Sequence, residues 1–386
     1  MKILIVTRDS NIGGGITSSA VSFCNELSKK GHQIVFLDMT GKYLCAEQLS
    51  SDVAKGYLVN KSRYWNVRKE VLDSAKGCLK IKLFLLGALK KITIQSGLWY
   101  NLIFEKYKEF GDFDVAVAFR QCAPCYSFVL NKVNAKKKIG FVHGELKFMG
   151  DICSWRKYMP QFDKIAYVSN AVKEGFVESY PELSNNATTI YNMLDYISII
   201  NRSKEKCEVI FDRNKINIVT VSRVENDQKK IDRIAPICKK LKENGISNFF
   251  WYVIGGGKDY EKSIQQADDL GVTDVLCFCG KRDNPYSYII QADFTVLPSK
   301  TESFGLVVVE SLILGKPVVA CEYPALKELL DDGVTGLIAK QDGDSLYSMV
   351  LTMIIDKETR DKLTFNCGKY KYSNDRAYQQ FLEAIE

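Results

Sequence analysis

Short, β-branched apolar runs alternate with amphipathic stretches from one end of the chain to the other. That alternation predicts parallel sheets joined by crossover helices. In the first half, strands are expected over 2–7, 33–38, 113–119, 138–143, 164–169 and 188–191. Residues 201–213 (NRSKEKCEVIFDR) are polar and charged, as a linker would be. A second series follows, with strands over 217–222, 249–254, 275–279, 294–297, 317–320 and 336–338. Helices are expected over 229–244, 259–270, 285–291, 304–314, 325–330 and 344–355. The division is therefore an N-terminal domain over 1–200, a C-terminal domain over 201–370, and a last helix over 371–386 packing back on the first domain. The two halves read as two copies of one α/β architecture. Two such domains leave a cleft at the carboxyl ends of their strands, where open α/β sheets bind ligands.

A chain of 386 residues suits two domains. No apolar run reaches the roughly 18 residues that span a bilayer. The opening MKILIVTRDS has an apolar stretch of only four residues before Thr7 and reads as a strand, not a signal peptide. Twelve scattered cysteines without a secretion signal read as reduced thiols, consistent with a cytoplasmic protein. Cys122-Ala123-Pro124-Cys125 has the C-x-x-C spacing of redox proteins, but that motif normally follows the first strand of a small domain, and here it lies mid-chain. With only His32 and His143, a His-rich zinc site cannot be assembled.

Charge changes the picture in one place. Residues 55–110 carry twelve Lys/Arg and four Asp/Glu, a balance of +8, which leaves −1 for the rest of a chain of net charge +7. Within this stretch, residues 79–92 (LKIKLFLLGALKKI) mix lysines with bulky apolar residues. Two readings stand: a partly buried helix with snorkelling lysines, or a patch drawn to an anionic membrane surface. No recognition motif points to nucleic acid.

Candidate chemistry begins at Gly13-Gly14-Gly15, which follow the first strand and open a helix, where backbone can approach an anion. This is not G-x-G-x-x-G, so a dinucleotide fingerprint is absent. Gly255-Gly256-Gly257-Lys258 fails the phosphate-loop pattern at both ends and reads as a turn leaving a strand. Asp112-Phe113-Asp114 has D-x-D spacing but reads as a solvated turn before a strand, and no metal is expected. Residues 298–314 (PSKTESFGLVVVESLIL) are the most informative. Glu302 falls in a strand-to-helix loop and Glu310 about a turn and a half into an apolar helix. Burying Glu310 there is costly unless it has a partner. Amides near Phe304 and Gly305 at a helix start suit a diphosphate. Arg223 ends the first strand of the second half, and Lys229 is placed six residues on at a helix start; two such cations can neutralise a departing diphosphate.

Together these residues resemble the retaining glycosyltransferases of family 4, which have the GT-B fold. Glu302-Ser303-Phe304-Gly305 with Glu310 is similar to that family's E-x7-E signature, Arg223 and Lys229 to its basic pair, and Gly13–Gly15 to its first-loop glycines. Val142-His143-Gly144-Glu145 resembles its strand-end histidine. Residues 43–110 align with no motif, as suits a variable acceptor region. The resemblance implies two Rossmann-like domains facing across a central cleft. It implies that Glu302 contacts the donor sugar, Glu310 the ribose, and Arg223 and Lys229 the diphosphate. Ser303, Phe304, Gly305 and Leu306 would complete the donor site, and the backbone around Lys281 and Arg282 would receive the base. Gly14 and Gly15 would approach the phosphates, and His143 the sugar's reacting face or its C6 side, unless it is a satisfied structural histidine.

The implied activity is hexose transfer from a nucleotide sugar, UDP-linked first and GDP-linked second, to a saccharide or lipid-linked saccharide acceptor. No further cofactor is expected. The setting expected from the basic segment is surface-polysaccharide assembly, with the protein peripheral at the inner face of the membrane. Alternatives are a GT-B-like nucleotide-sugar epimerase or phosphorylase, an NAD-dependent oxidoreductase, and a non-catalytic nucleotide-sugar-binding module.

Overall fold

The computed structural model describes residues 1–8, 14–40, 46–56, 106–150 and 152–386. Gly13 and the basic stretch 79–92 lie outside the described residues. The chain divides into two compact units: Met1–Leu194 with Asn374–Glu386, and Asp195–Ser373.

In the first unit the described strands are β1 (Lys2–Thr7), β2 (Gln33–Asp38), β3 (Ala54–Gly56), β4 (Phe113–Ala118), β5 (Ala135–Val142), β6 (Lys164–Tyr167) and β7 (Ala187–Thr189). They form one parallel sheet in the order β3-β2-β1-β4-β5-β6-β7. Both faces are covered, so β1 is a continuous apolar run whose last five residues are all buried. Helix α1 (Gly15–Lys29) connects β1 to β2, and α2 (Ala123–Lys132) connects β4 to β5. Further helices are α3 (Cys153–Arg156) and α4 (Asn170–Ser179). β5 starts three residues earlier than its apolar pattern suggests, because the lysines of its AKKK opening pair through backbone with β4 while their side chains reach solvent. β3 carries no apolar signal and is held at the sheet edge by β2.

The second unit holds β8 (Ile216–Val221), β9 (Phe249–Ile254), β10 (Leu276–Gly280), β11 (Phe294–Leu297), β12 (Val318–Cys321) and β13 (Gly336–Ala339). These form a parallel sheet in the order β10-β9-β8-β11-β12-β13. Its helices are α5 (Tyr196–Ser203), α6 (Ile234–Glu243), α7 (Tyr260–Asp269), α8 (Tyr286–Ile289), α9 (Leu306–Ile313), α10 (Gly343–Ile355) and α11 (Lys357–Gly368). Trp251 on β9 donates its indole N–H to Thr220 Oγ1 at 3.0 Å, and Thr220 donates to Val296 O at 2.7 Å, tying three neighbouring strands inside an otherwise apolar core. The chain then returns to the first unit through α12 (Asp375–Ile385), where Phe381 meets Phe23 edge-on at 5.4 Å and Tyr378 bonds His32 at 2.9 Å.

Three expectations need correction. The helix expected over 229–244 begins only after Lys230, which has a left-handed φ of 52°, so Lys229 belongs to the loop that follows β8. Residues 325–330 form a short 3-10 turn, Pro324–Glu328, instead of an α-helix. The polar stretch read as a linker starts inside α5, so the first unit ends at Leu194 and its returning segment starts at Asn374. Asp114 of the D-x-D stretch accepts from the Lys2 amide and pairs with Lys136 at 2.7 Å, holding strand starts together.

Candidate functional site

Each sheet changes direction beside its first strand: β1 lies between β2 and β4, and β8 lies between β9 and β11. The loops leaving such neighbouring strands diverge, which opens a crevice at the carboxyl edge. In the second unit the β8 and β11 loops carry the residues singled out from sequence. Lys229 Nζ bonds both carboxylate oxygens of Glu302 at 2.6 Å, and Ser299 Oγ donates to Glu302 Oε1 at 2.8 Å. Only 13% of the Lys229 side chain and 15% of Glu302 is exposed. The two loops are laced together besides: Lys300 N donates to Gln228 O at 2.8 Å, and Gln228 Nε2 to Thr301 O at 3.4 Å. Arg223 is placed differently. Its side chain is 63% exposed and bonds Glu225 at 2.6 Å and Gln228 at 3.4 Å, so the expected basic pair is divided, with one cation paired inward and the other held at the rim.

After Glu302 the chain passes Ser303 and Phe304 to Gly305, then opens α9 at Leu306. Gly305 has φ of 101°, and a Cβ there would come within 2.2 Å of the Tyr323 hydroxyl. The site thus needs glycine on two counts, backbone angle and space. At the start of α9, Val308 N donates to Gly305 O at 3.0 Å, and the helix's positive dipole end lies here.

Glu310 lies further along α9, where α5, α8 and α9 pack together. Tyr286 of α8 donates its hydroxyl to Glu310 Oε1 at 3.2 Å. Burial pushes the Glu310 carboxyl up to about 7, against the opposing pull of Tyr286 and of the Arg202 guanidinium. Arg202 in turn bonds Asp283 O at 2.5 Å and lies 5.3 Å from the Tyr286 ring centre. Lys281 and Arg282 directly follow β10, with Arg282 paired to Glu208. The adjacent Gly255 is bonded through its N–H to Gly280 O at 2.9 Å, and a Cβ on it would meet Ser222 O at 1.8 Å. Gly255 and Gly257, whose Cβ would meet Val224 O at 2.2 Å, therefore serve close backbone packing against the β8 loop.

Sequence reasoning missed the residues that hold these loops. Arg233 donates to Pro298 O at 3.1 Å and to Gln341 O at 3.0 Å. Gln341 donates to Ser299 O and Lys300 O at 3.1 Å each. Tyr286 and Arg202 were missed as well. None sits in a motif; their partners are backbone or lie far off in sequence, so no local pattern announces them.

In the first unit, Gly14 caps α1 and Gly15 opens it at the carboxyl end of β1, with Gly14 O accepting from Thr17 and Ser18. His143 follows β5. Its ring packs on Phe119 and Phe141, with centres 4.6 and 5.6 Å away, and Nε2–H donates to Phe119 O at 2.7 Å. Burial pulls its pKa down to about 4, the Phe119 bond opposing and the Arg120 charge assisting, so the imidazole is neutral at pH 7.

Residues 201–370 match the sequence profile of the family described as Glycosyl transferases group 1. An uncharacterized glycosyltransferase of Methanocaldococcus jannaschii is 29% identical over 209 residues, 53% of each chain. An uncharacterized 41.2 kDa protein in the cps region of Klebsiella pneumoniae is 28% identical over 219 residues, 55% of each. The matched stretch thus spans about half the length of these curated relatives. Among solved structures, Anabaena HepE in complex with UDP superposes with a TM-score of 0.69 at 17% identity, covering 100% of this chain and 99% of that one. A likeness at that identity speaks for the fold. The chain has the GT-B fold of two Rossmann-like units, and its residues 201–370 are similar to the glycosyl transferases group 1 family.

Proposed function

We propose that the protein is a retaining glycosyltransferase that moves a hexose from a nucleoside diphosphate sugar, UDP-linked in preference to GDP-linked, to a saccharide or lipid-linked saccharide acceptor. The observation that carries this reading is the Lys229–Glu302 pair beside the start of α9, with the Glu310–Tyr286 pair deeper on the same helix. In the free protein each member of the first pair satisfies the other. A sugar diphosphate offers both a better partner at once: the diphosphate takes Lys229, and sugar hydroxyls donate to the released Glu302 carboxylate. Arg223 at the rim and the first-turn amides of α9, from Gly305 and Leu306, add to the hold on the diphosphate, with Ser303 and Phe304 shaping the approach. Glu310 accepts from the ribose hydroxyls, and the Lys281–Arg282 backbone borders the base.

Charge grows on the leaving phosphate as the glycosidic bond breaks, so Lys229 and Arg223 stabilise the transition state more than the bound ground state. The transition state is oxocarbenium-like, as in glycoside hydrolysis. The leaving phosphate is suited to accept the acceptor's proton on the same face, which retains the anomeric configuration without a protein nucleophile. His143 and Gly14-Gly15 are assigned to the sugar and phosphate sides from the first unit. His143 acts there as a neutral hydrogen-bonding group.

The acceptor setting rests on the +8 balance of residues 55–110 and on the Klebsiella relative's cps region. No helix of the described residues is long and apolar enough to cross a membrane. The reading is tested by incubating the protein with a panel of UDP- and GDP-hexoses and measuring release of nucleoside diphosphate, with anionic vesicles carrying lipid-linked saccharide as acceptor. Release from one base class, with the product anomer matching the donor, supports it. Silence across the panel, or inversion of the anomer, overturns it.

A further inference from the structure

The Cys122-Ala123-Pro124-Cys125 stretch occupies the local position in which C-x-x-C pairs act. β4 ends at Ala118, three residues turn, and Cys122 is the N-cap of α2 with Pro124 in the first turn. Cys122 is half-buried and Cys125 fully buried, so Cys122 is the more accessible of the two. Cys122 and Cys125 stand three residues apart at the start of α2, and Cys125 donates its S–H to Met39 Sδ at 3.5 Å. Two guanidinium groups act on the pair: Arg8, just past β1, and Arg120, just past β4, whose Nη1 donates to Arg8 O at 3.0 Å.

This arrangement separates the two thiols chemically. The neighbouring Cys125 holds the Cys122 thiol below its ordinary range; burial opposes that, and the Arg8 and Arg120 charges add to it. Burial pushes Cys125 far up. A reachable thiol that ionises readily, three residues before a buried thiol that keeps its proton, is the division of labour between an attacking and a resolving cysteine.

We propose that Cys122 and Cys125 form a reversible dithiol–disulfide couple that exchanges with low-molecular-weight disulfides. The Cys122 thiolate attacks one sulfur of the small disulfide, forming a mixed disulfide and expelling one small thiolate. Cys125 then gives up its proton, and its sulfur attacks Cys122 Sγ, expelling the second thiolate. The protein dithiol loses two electrons and two protons, and the small disulfide becomes two thiols. The loop of the couple also holds His143, through Phe119 O and through Gln121 Oε1, which accepts from His143 N at 3.3 Å, so oxidation acts next to that ring. The couple does not rest on the sugar-transfer reading, and either can fail alone.

The test equilibrates the full chain with graded ratios of reduced and oxidised glutathione, quenches with acid, alkylates the unfolded chain with maleimide and maps peptides by mass. In the wild type, the peptide holding Cys122 and Cys125 should lose two hydrogens and resist maleimide at oxidising ratios, and dithiothreitol should reverse both. Cys125→Ser should stall as a glutathione adduct on Cys122, forming roughly tenfold faster than the adduct on the exposed Cys153 of the same chain. Cys122→Ser keeps a favoured N-cap residue, so the fold is retained, and it should leave Cys125 free at every ratio. Full alkylation of both wild-type cysteines at every ratio would overturn the couple. So would an adduct on Cys122 that forms no faster than that on Cys153.

Discussion

The same topology carries opposite chemistry in the two units. In each sheet the first strand lies between the second strand and a later one, and functional candidates follow the first strand and strands on that later side. In the second unit these are charged groups with exchangeable partners: Lys229 on Glu302, and Arg223 on Glu225 and Gln228. In the first unit the counterpart is a neutral imidazole packed on two aromatic rings and tied to a backbone carbonyl. The largely buried Lys229–Glu302 pair can give up its internal partner only to a ligand that satisfies both charges, because stranding either one is costly. A ring held by packing and one short bond cannot. On the proposed function, the difference means that the donor site of the second unit is opened by its ligand, whereas His143 offers a fixed, uncharged ring.

The largest effect expected from breaking this contrast is at Lys229. Lys229→Ala should lower turnover of the donor by on the order of a hundredfold or more, with affinity for the free nucleotide changed far less. A turnover near that of wild type, in a variant with unchanged circular dichroism, would remove Lys229 from the mechanism. Next comes Glu310. Its carboxyl takes up a proton below about pH 7, and only the ionised form accepts from both ribose hydroxyls. Nucleotide affinity should therefore be full above pH 7 and weaken up to about tenfold per unit as pH falls below it. Calorimetry in Glu310→Gln should show weaker binding with that slope gone.

Gly305→Ala should cost about 2–3 kcal/mol, from the left-handed φ and the displaced Tyr323 hydroxyl, and lower the melting temperature by roughly 4–10 °C. The smallest effect concerns His143. Its folded pKa of about 4 lies below the unfolded 6.5, so the unfolded chain binds more protons between those values. Stability should be full above pH 6.5 and fall as pH drops toward 4, by about 1 kcal/mol per unit. Denaturant unfolding of His143→Gln at pH 7 and 5 should show a shallower loss than wild type.

Much of the fold was legible because parallel strands covered on both faces are continuous apolar runs. β9 and β11 end where their apolar runs end. β3 and the start of β5 were not legible, since backbone pairing to a neighbour sets them and their side chains carry no apolar signal. The left-handed turn at Lys230, which moves Lys229 out of the helix, is likewise invisible, because lysine has no local preference for it. At the site, Glu302 and Glu310 stood out as acids in an apolar setting. The residues that keep them in place, Tyr286, Arg233 and Gln341, act across 24 to 108 positions of sequence and left no pattern.

The most direct measurement of the central claim is calorimetric titration of the purified protein with UDP, GDP, ADP and NAD, with and without magnesium. The account predicts binding of UDP, or of GDP, that needs no magnesium and is weakened in Glu310→Gln. Binding of NAD alone, or of none of the four, would contradict it and move the second unit's charged pairs to a purely structural role.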